Sequence, residues 1–191
     1  DVGLVQANID QGQKFDAAFI TQNLDHYEQL SDSLWDADVI VWPETAIPYV
    51  AGRSNRVLDY FENKARATNT TLVTGIFGET QAGLHNSIIS LGNGEGIYHK
   101  QKLVPFGEYV PMRAVFSTLL KVFDLPMSSL EPGPSDQAML SAGPYTLASF
   151  ICYEVVYPDF VRRGAKDSDF MVTISNDTWF GSSWGPLQHL E

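Results

Sequence analysis

Asn86-Ser-Ile-Ile-Ser-Leu-Gly-Asn-Gly-Glu-Gly-Ile-Tyr-His-Lys100 is the stretch on which the fold turns. Asn93-Gly94 separates two β-type runs, Asn86 to Leu91 and Gly96 to Leu103, and an Asn-Gly pair between such runs predicts a hairpin. Outward from it lie further β-type runs: Val2 to Ile9, Asp38 to Trp42, Thr71 to Phe77, Tyr145 to Cys152 and Phe170 to Ser175. Several are almost continuously apolar, as strands covered on both faces must be. Helical patterns run from Ala17 to Leu34, Asn55 to Thr68, Met112 to Phe123 and Val155 to Lys166. Alternating strands and helices predict an α/β domain, and the hairpin makes its sheet mixed rather than purely parallel.

Composition narrows the partners. The chain has 191 residues, 44% of them apolar, enough for one sizeable core and for a single domain over 1–191. Twelve Lys and Arg face 23 Asp and Glu, a net charge of −11, and no basic run is present. Nucleic acid is therefore not expected as a partner, and charge alone does not attach the chain to an anionic membrane. No stretch reaches the roughly 18 to 20 apolar residues that span a bilayer. The single cysteine excludes an internal disulfide and a multi-cysteine metal site; neither a metal nor a cofactor is expected. The chain opens on a strand already under way and closes on Leu187-Gln-His-Leu-Glu191, the first turn of a helix after Pro186, so a fragment of a longer polypeptide is expected, with an exposed sheet that leaves it prone to aggregate.

From Leu103 to Pro134 the connection is far longer than ordinary loops. Within it Met112, Val115, Phe116, Leu119, Leu120 and Phe123 form one apolar stripe at helical spacing, which can pack on the core or face lipid. Residues 103–134 are expected to form a lid-like insertion.

Cys152 sits where the apolar run Tyr145 to Ile151 breaks toward a helix, so its thiol can face a cleft with free backbone N–H groups beside it. It can equally be a small buried hydrophobe. A nucleophilic thiol needs a proton acceptor and an oxyanion donor. Of the histidines, His26 lies in a helix, His85 at the start of a strand and His189 in the tail, while strand parity turns His99 away from any site reached by Lys100 or Lys102. Glu44, after the apolar strand ending at Trp42 and after Pro43, projects from a strand end where clefts form in open α/β sheets. Burial there raises a carboxylate toward a usable base, although a turn carboxylate capping backbone N–H groups has the same sequence signature. Glu108 and Glu154 are second-rank acids, and Lys100 and Lys102 are equivalent by parity as cations for the thiol.

Trp42-Pro43-Glu44, Tyr98-His99-Lys100-Gln101-Lys102-Leu103 and Cys152-Tyr153-Glu154 resemble, in that order, the Glu-Lys-Cys segments of the nitrilase superfamily. The resemblance implies a nitrilase-like α-β-β-α sandwich of four layers, Glu44 as general base, Lys100 rather than Lys102 as the oxyanion cation, Cys152 as nucleophile and the Tyr153 backbone N–H as second oxyanion donor. Soluble amidases of that superfamily carry an arginine four residues after the cysteine, where this chain has Val156. Val104-Pro-Phe-Gly-Glu-Tyr-Val-Pro111, Ile151-Cys-Tyr-Glu-Val-Val-Tyr-Pro158 and Ser175-Asn-Asp-Thr-Trp-Phe-Gly181 are instead similar to the apolipoprotein N-acyltransferase family. That resemblance implies a phospholipid acyl donor, the lipidated N-terminal cysteine of an apolipoprotein as acceptor, and attachment to the bacterial inner membrane through helices outside this chain, with this domain on the periplasmic side. It also implies supporting roles for Glu108, Glu154 and Tyr153, and places Trp179 and Phe180 near the substrate. A soluble amidase hydrolysing a C–N bond, or a non-catalytic binding domain with a buried thiol, are the alternatives.

Overall fold

The structure is a computed structural model that describes residues 1–52, 55–104, 108 and 130–180. Two mixed sheets form its centre. The first has the order β1 (Val2–Leu4), β2 (Val39–Val41), β3 (Thr71–Thr80), β4 (Gly83–Gly92) and β5 (Ile97–His99). β1, β2 and β3 are parallel, whereas β3–β4 and β4–β5 are antiparallel. The second has the order β6 (Leu140–Ala142), β7 (Tyr145–Ile151) and β8 (Phe170–Ile174), the first pair antiparallel and the second parallel.

Side-chain alternation assigns the two faces of each sheet. In β2, Ile40 packs toward helices together with Leu72 and Ile76 of β3, while Val39, Val41 and Val73 face the other way. That second face meets Leu147 and Ile151 of β7 and Val172 and Ile174 of β8, so the two sheets pack on each other. Helices α2 (Ile20–Ser31) and α3 (Arg56–Ala67) cover the outer face of the first sheet through Leu24, Tyr27, Phe61 and Ala65. Helix α4 (Pro158–Gly164) covers β7, with Phe160 edge-on to Phe150 at 5.8 Å. The layers run helix, sheet, sheet, helix, as expected. Each fully buried Ile or Leu in these slabs contributes about 1.5–3 kcal/mol.

The element boundaries follow local chemistry. Asn55 starts α3 because its side chain accepts the Val57 N–H at 2.9 Å, within one residue of the expected start. The helix expected over Ala17 to Leu34 is the shorter α2, and a separate short helix before it, α1 (Gln11–Lys14), was not expected. Asp10 and Asp16 accept the N–H groups of Gly12 and Ala18, two residues on, and these local bonds set separate turns. The hairpin pairs as expected, with Ser87 opposite His99 and Ile89 opposite Ile97. Its connection uses left-handed Gly92 (φ 82°) and Gly96 (φ 105°), with the Asn93 N–H bonded to Thr70 O. Strands expected over Val2 to Ile9 and Gly96 to Leu103 are shorter, and β6 was not expected at all. Val155 to Lys166 divides into a 3-10 turn over Cys152–Val156 and α4, which begins at Pro158. The expected helix over Met112 to Phe123, and the lid over 103–134 apart from residues 103, 104, 108 and 130–134, lie outside the described residues.

Candidate active site

Glu44 leaves the end of β2 in a tight turn that Gly75 of β3 makes possible. A Cβ at Gly75 would lie 2.7 Å from Glu44 Cα and overlap the Thr45 nitrogen. Gly75 also donates its N–H to Pro43 O at 3.2 Å, and its carbonyl accepts the Ile47 N–H at 3.1 Å. Trp42, stacked on Tyr27 and bonded through Nε1 to Ser31 Oγ, anchors the preceding residue in the helix layer. The Glu44 carboxylate is buried: Oε1 accepts Asn86 Nδ2 at 2.6 Å and Oε2 accepts the Asn176 N–H at 2.8 Å. Its main-chain oxygen accepts Lys14 Nζ at 2.6 Å.

Lys100 follows β5 and is 1% exposed, whereas strand lysines mostly sit solvated on sheet edges. Its Nζ donates to Glu108 Oε1 at 2.8 Å and lies 3.8 Å from Glu44 Oε1. Asn86 Nδ2 also donates to Glu108 Oε1 at 3.0 Å, so one ammonium and one amide alternate with two carboxylate oxygens. The Asn86 side-chain oxygen, Oδ1, has no hydrogen-bond partner among the described residues. Parity separates the neighbours as expected. His99 turns to the other face, where Nδ1 meets Ser87 Oγ at 2.8 Å and the ring lies 4.7 Å from His85. Lys102 is exposed, with Nζ over the Phe160 ring at 5.5 Å. His26 is on exposed helix surface, and His189 lies outside the described residues.

β7 ends at Ile151, and Cys152 turns the chain into the 3-10 segment with φ 51°, a left-handed conformation that costs a non-glycine residue about 1–3 kcal/mol. Glu154 holds this turn. Its carboxylate, fully buried, accepts the N–H groups of Ile151 at 2.9 Å, Gln101 at 2.7 Å and Lys102 at 3.0 Å, and the Tyr98 hydroxyl at 3.0 Å. Glu154 thereby ties the exit of β5, which carries Lys100, to the turn that carries Cys152. Tyr153 is 40% exposed and packs edge-on against Tyr157. Trp179 and Phe180 belong to the 3-10 turn Asp177–Phe180 after β8.

The electrostatics are graded. Burial raises the Glu44 pKa and Glu108 raises it further, against Lys100, the Asn86 amide and Lys14. For Lys100 burial opposes the charge, yet Glu44, Glu108 and the Cys152 sulfur prevail and its pKa rises. The Cys152 thiol is pushed up to about 11, first by burial and then by Glu44, with Lys100, the Ser175 hydroxyl and the Tyr153 N–H pulling the other way. Such a thiol is not ionised near neutral pH, so attack by it requires a base within reach. Among the described residues no cluster of His, Cys, Asp or Glu is arranged to hold a metal ion.

Beyond this geometry, residues 1–191 match the family model described as carbon-nitrogen hydrolase. The chain belongs to the carbon-nitrogen hydrolase family. Within it, the chain is similar to the apolipoprotein N-acyltransferases of Pseudomonas syringae pv. tomato, at 44% identity over 195 residues, and Pseudomonas putida, at 45% over 194 residues. Each alignment covers 100% of this chain and 38% of the relative, so the chain spans well under half the length of these proteins. Among solved structures, a carbon-nitrogen hydrolase from Helicobacter pylori G27 superposes with a TM-score of 0.60 at 17% identity, over 91% of this chain and 59% of that one. An amidase from Nesterenkonia sp. AN1 gives 0.57 at 19%, over 95% and 70%. At these identities the likeness carries the fold alone. No helix among the described residues is long and apolar enough to cross a membrane.

Lys14, Asn86 and Asn176 contact Glu44 and were not anticipated. Asn86 shares the strand parity of Ile88 and Ser90 and had no charge to draw attention. Lys14 and Asn176 lie far from Glu44 in sequence, and nothing in the local text links them to it.

Proposed function

We propose that this chain is the catalytic domain of an apolipoprotein N-acyltransferase, in which Cys152 carries an acyl group from a phospholipid to the α-amine of a lipoprotein's diacylglyceryl-modified N-terminal cysteine. The observation that carries the reading is 44–45% identity along the whole chain to relatives bearing that name. The convergence of buried Glu44, Lys100 and Glu108 beside the half-buried Cys152 supports it.

The reaction divides into two acyl transfers. The Cys152 sulfur attacks the donor's ester carbonyl while Glu44 takes the thiol proton. Lys100 Nζ and the Tyr153 N–H hold the oxyanion, for which Lys100 is kept in place by Glu108. The tetrahedral species expels the lysophospholipid alkoxide, which receives its proton from Glu44, leaving a thioester. The incoming neutral amine then adds to the thioester carbonyl and Glu44 accepts its proton; collapse forms the amide and expels the Cys152 thiolate, to which Glu44 returns that proton. Trp179 and Phe180 would line the path of the substrates, and the Leu103 to Pro134 segment would cover the site at the membrane surface. Membrane attachment would come from helices outside this chain, with this domain on the periplasmic face of the bacterial inner membrane.

Incubating the full-length protein with phospholipid and digesting it should yield an acyl-sized mass increase on the Cys152 peptide, discharged by a diacylglyceryl-cysteine peptide. Retained acyl transfer in Cys152→Ala would overturn the proposal. Discharge by water alone would make the site a phospholipid ester hydrolase, and adducts from amides and none from phospholipid would assign it to C–N hydrolysis; either overturns the acyl-transfer reading.

A further inference from the structure

We infer that Lys14 is a positioning residue for Glu44: α1 clasps the turn that carries this carboxylate from its main-chain side, while Lys100 faces the carboxylate itself. Lys14 is only 6% exposed, and its Nζ donates to Glu44 O at 2.6 Å. A lysine in a short surface segment has solvent available, so burial of its ammonium against the Glu44 main chain needs a reason.

The opposite end of α1 supplies that reason. Gln11 Oε1 accepts Asn176 Nδ2 at 2.9 Å and the Thr178 hydroxyl at 3.0 Å. Asn176 in turn donates its backbone N–H to Glu44 Oε2 at 2.8 Å. One helical turn therefore grips Glu44 twice, directly at the main chain through Lys14 and through Asn176 at the carboxylate. Among the described residues, the charged or titratable groups facing Glu44 are Lys100 just after β5, Glu108 in the following connection, Cys152 at the strand-to-helix turn and Lys14 from α1. With Glu108 raising the proton affinity of Glu44, Lys14 and Lys100 are the cations that oppose it. Lys14 thus keeps Glu44 ionised, and so able to take a proton, at a lower pH than burial alone allows.

This inference rests on the reading of Glu44 as the base for Cys152, and the experiment separates the two. The rate of Cys152 alkylation by iodoacetamide is followed against pH in the full-length protein and in Glu44→Gln, Lys14→Gln, Lys14→Arg and Gln11→Ala. An acid limb that persists unchanged in Glu44→Gln removes the base role of Glu44 and with it the functional reading. With that limb assigned to Glu44, Lys14→Gln should move it up by about one pH unit, roughly tenfold in rate on the limb, while Lys14→Arg keeps it in place. Gln11→Ala, which leaves the lysine intact, should move it in the same direction by less, and it decides the matter if the Lys14 variants do not fold. A limb unmoved in folded Lys14→Gln, or in Gln11→Ala when only that variant folds, overturns the inference. A merely structural lysine would lower the rate equally at every pH.

Discussion

Glu44 and Glu154 are both buried carboxylates at strand ends, yet they sit in opposite surroundings. Glu154 accepts only fixed donors, three backbone N–H groups and the Tyr98 hydroxyl, and joins two chain segments. Glu44 faces an ammonium, a second carboxylate and a thiol, with an amide whose own oxygen has no partner among the described residues. Burial raises the pKa of both, so the shift alone does not distinguish a strut from a base. The partners do: donors locked into the main chain keep one protonation state, whereas side-chain partners that can turn or titrate accommodate either.

Substituting each by glutamine tests this contrast. Glu44→Gln should lower Cys152 acylation by about 10²- to 10⁴-fold, the range for a lost general base, with little change in melting temperature. Rotation of Asn86 would present its Oδ1, which has no partner among the described residues, to the new amide, exchanging the bond from Nδ2 to Glu108 Oε1 for that contact. A large fall in stability in Glu44→Gln would erase the distinction. Glu154→Gln should act the other way, because either orientation of the amide sets an NH₂ against backbone N–H groups. It should cost about 1–3 kcal/mol for each donor left unpaired, read by denaturant unfolding. Unchanged stability in that variant would show that Glu154 is not the strut.

The smallest expected effect is on stability near pH 8 to 9. Burial lowers the Lys14 pKa from 10.5 to about 8, so between these values the unfolded chain binds more protons and stability rises with pH. Cys152 works oppositely: raised from 9.0 to about 11, it keeps its proton when folded, and stability falls as pH climbs past the unfolded value. From pH 8 to 9 the lysine dominates, giving a net gain of about 0.5–1 kcal/mol. In Lys14→Met the same scan should turn slightly downward. A rise that survives in that variant would assign it to another group.

Much of this architecture was legible as pattern. Alternation of apolar runs with helical stretches marked the α/β class, and Asn93-Gly94 marked the antiparallel pair that makes the first sheet mixed. Parity on β5 separated Lys100 from His99, since successive side chains of a strand leave opposite faces. Position after a strand end singled out Glu44 and Cys152. Lys100 and Lys102, by contrast, share a parity, and sequence spacing cannot choose between them. Tertiary structure makes that difference: the strand stops at His99, Lys100 enters the cluster of carboxylates, and Lys102 emerges beside Phe160.

The sequence by itself thus determined the layers and the residue types at the strand ends, because periodicity and turn chemistry are local properties of the chain. Only the tertiary structure decided that Glu44 is held by Lys14, Asn86 and Asn176, and that Glu154 locks the exit of β5 to the Cys152 turn. Those bonds join residues up to 132 positions apart, and their partners are selected by packing two sheets face to face, which no local pattern encodes.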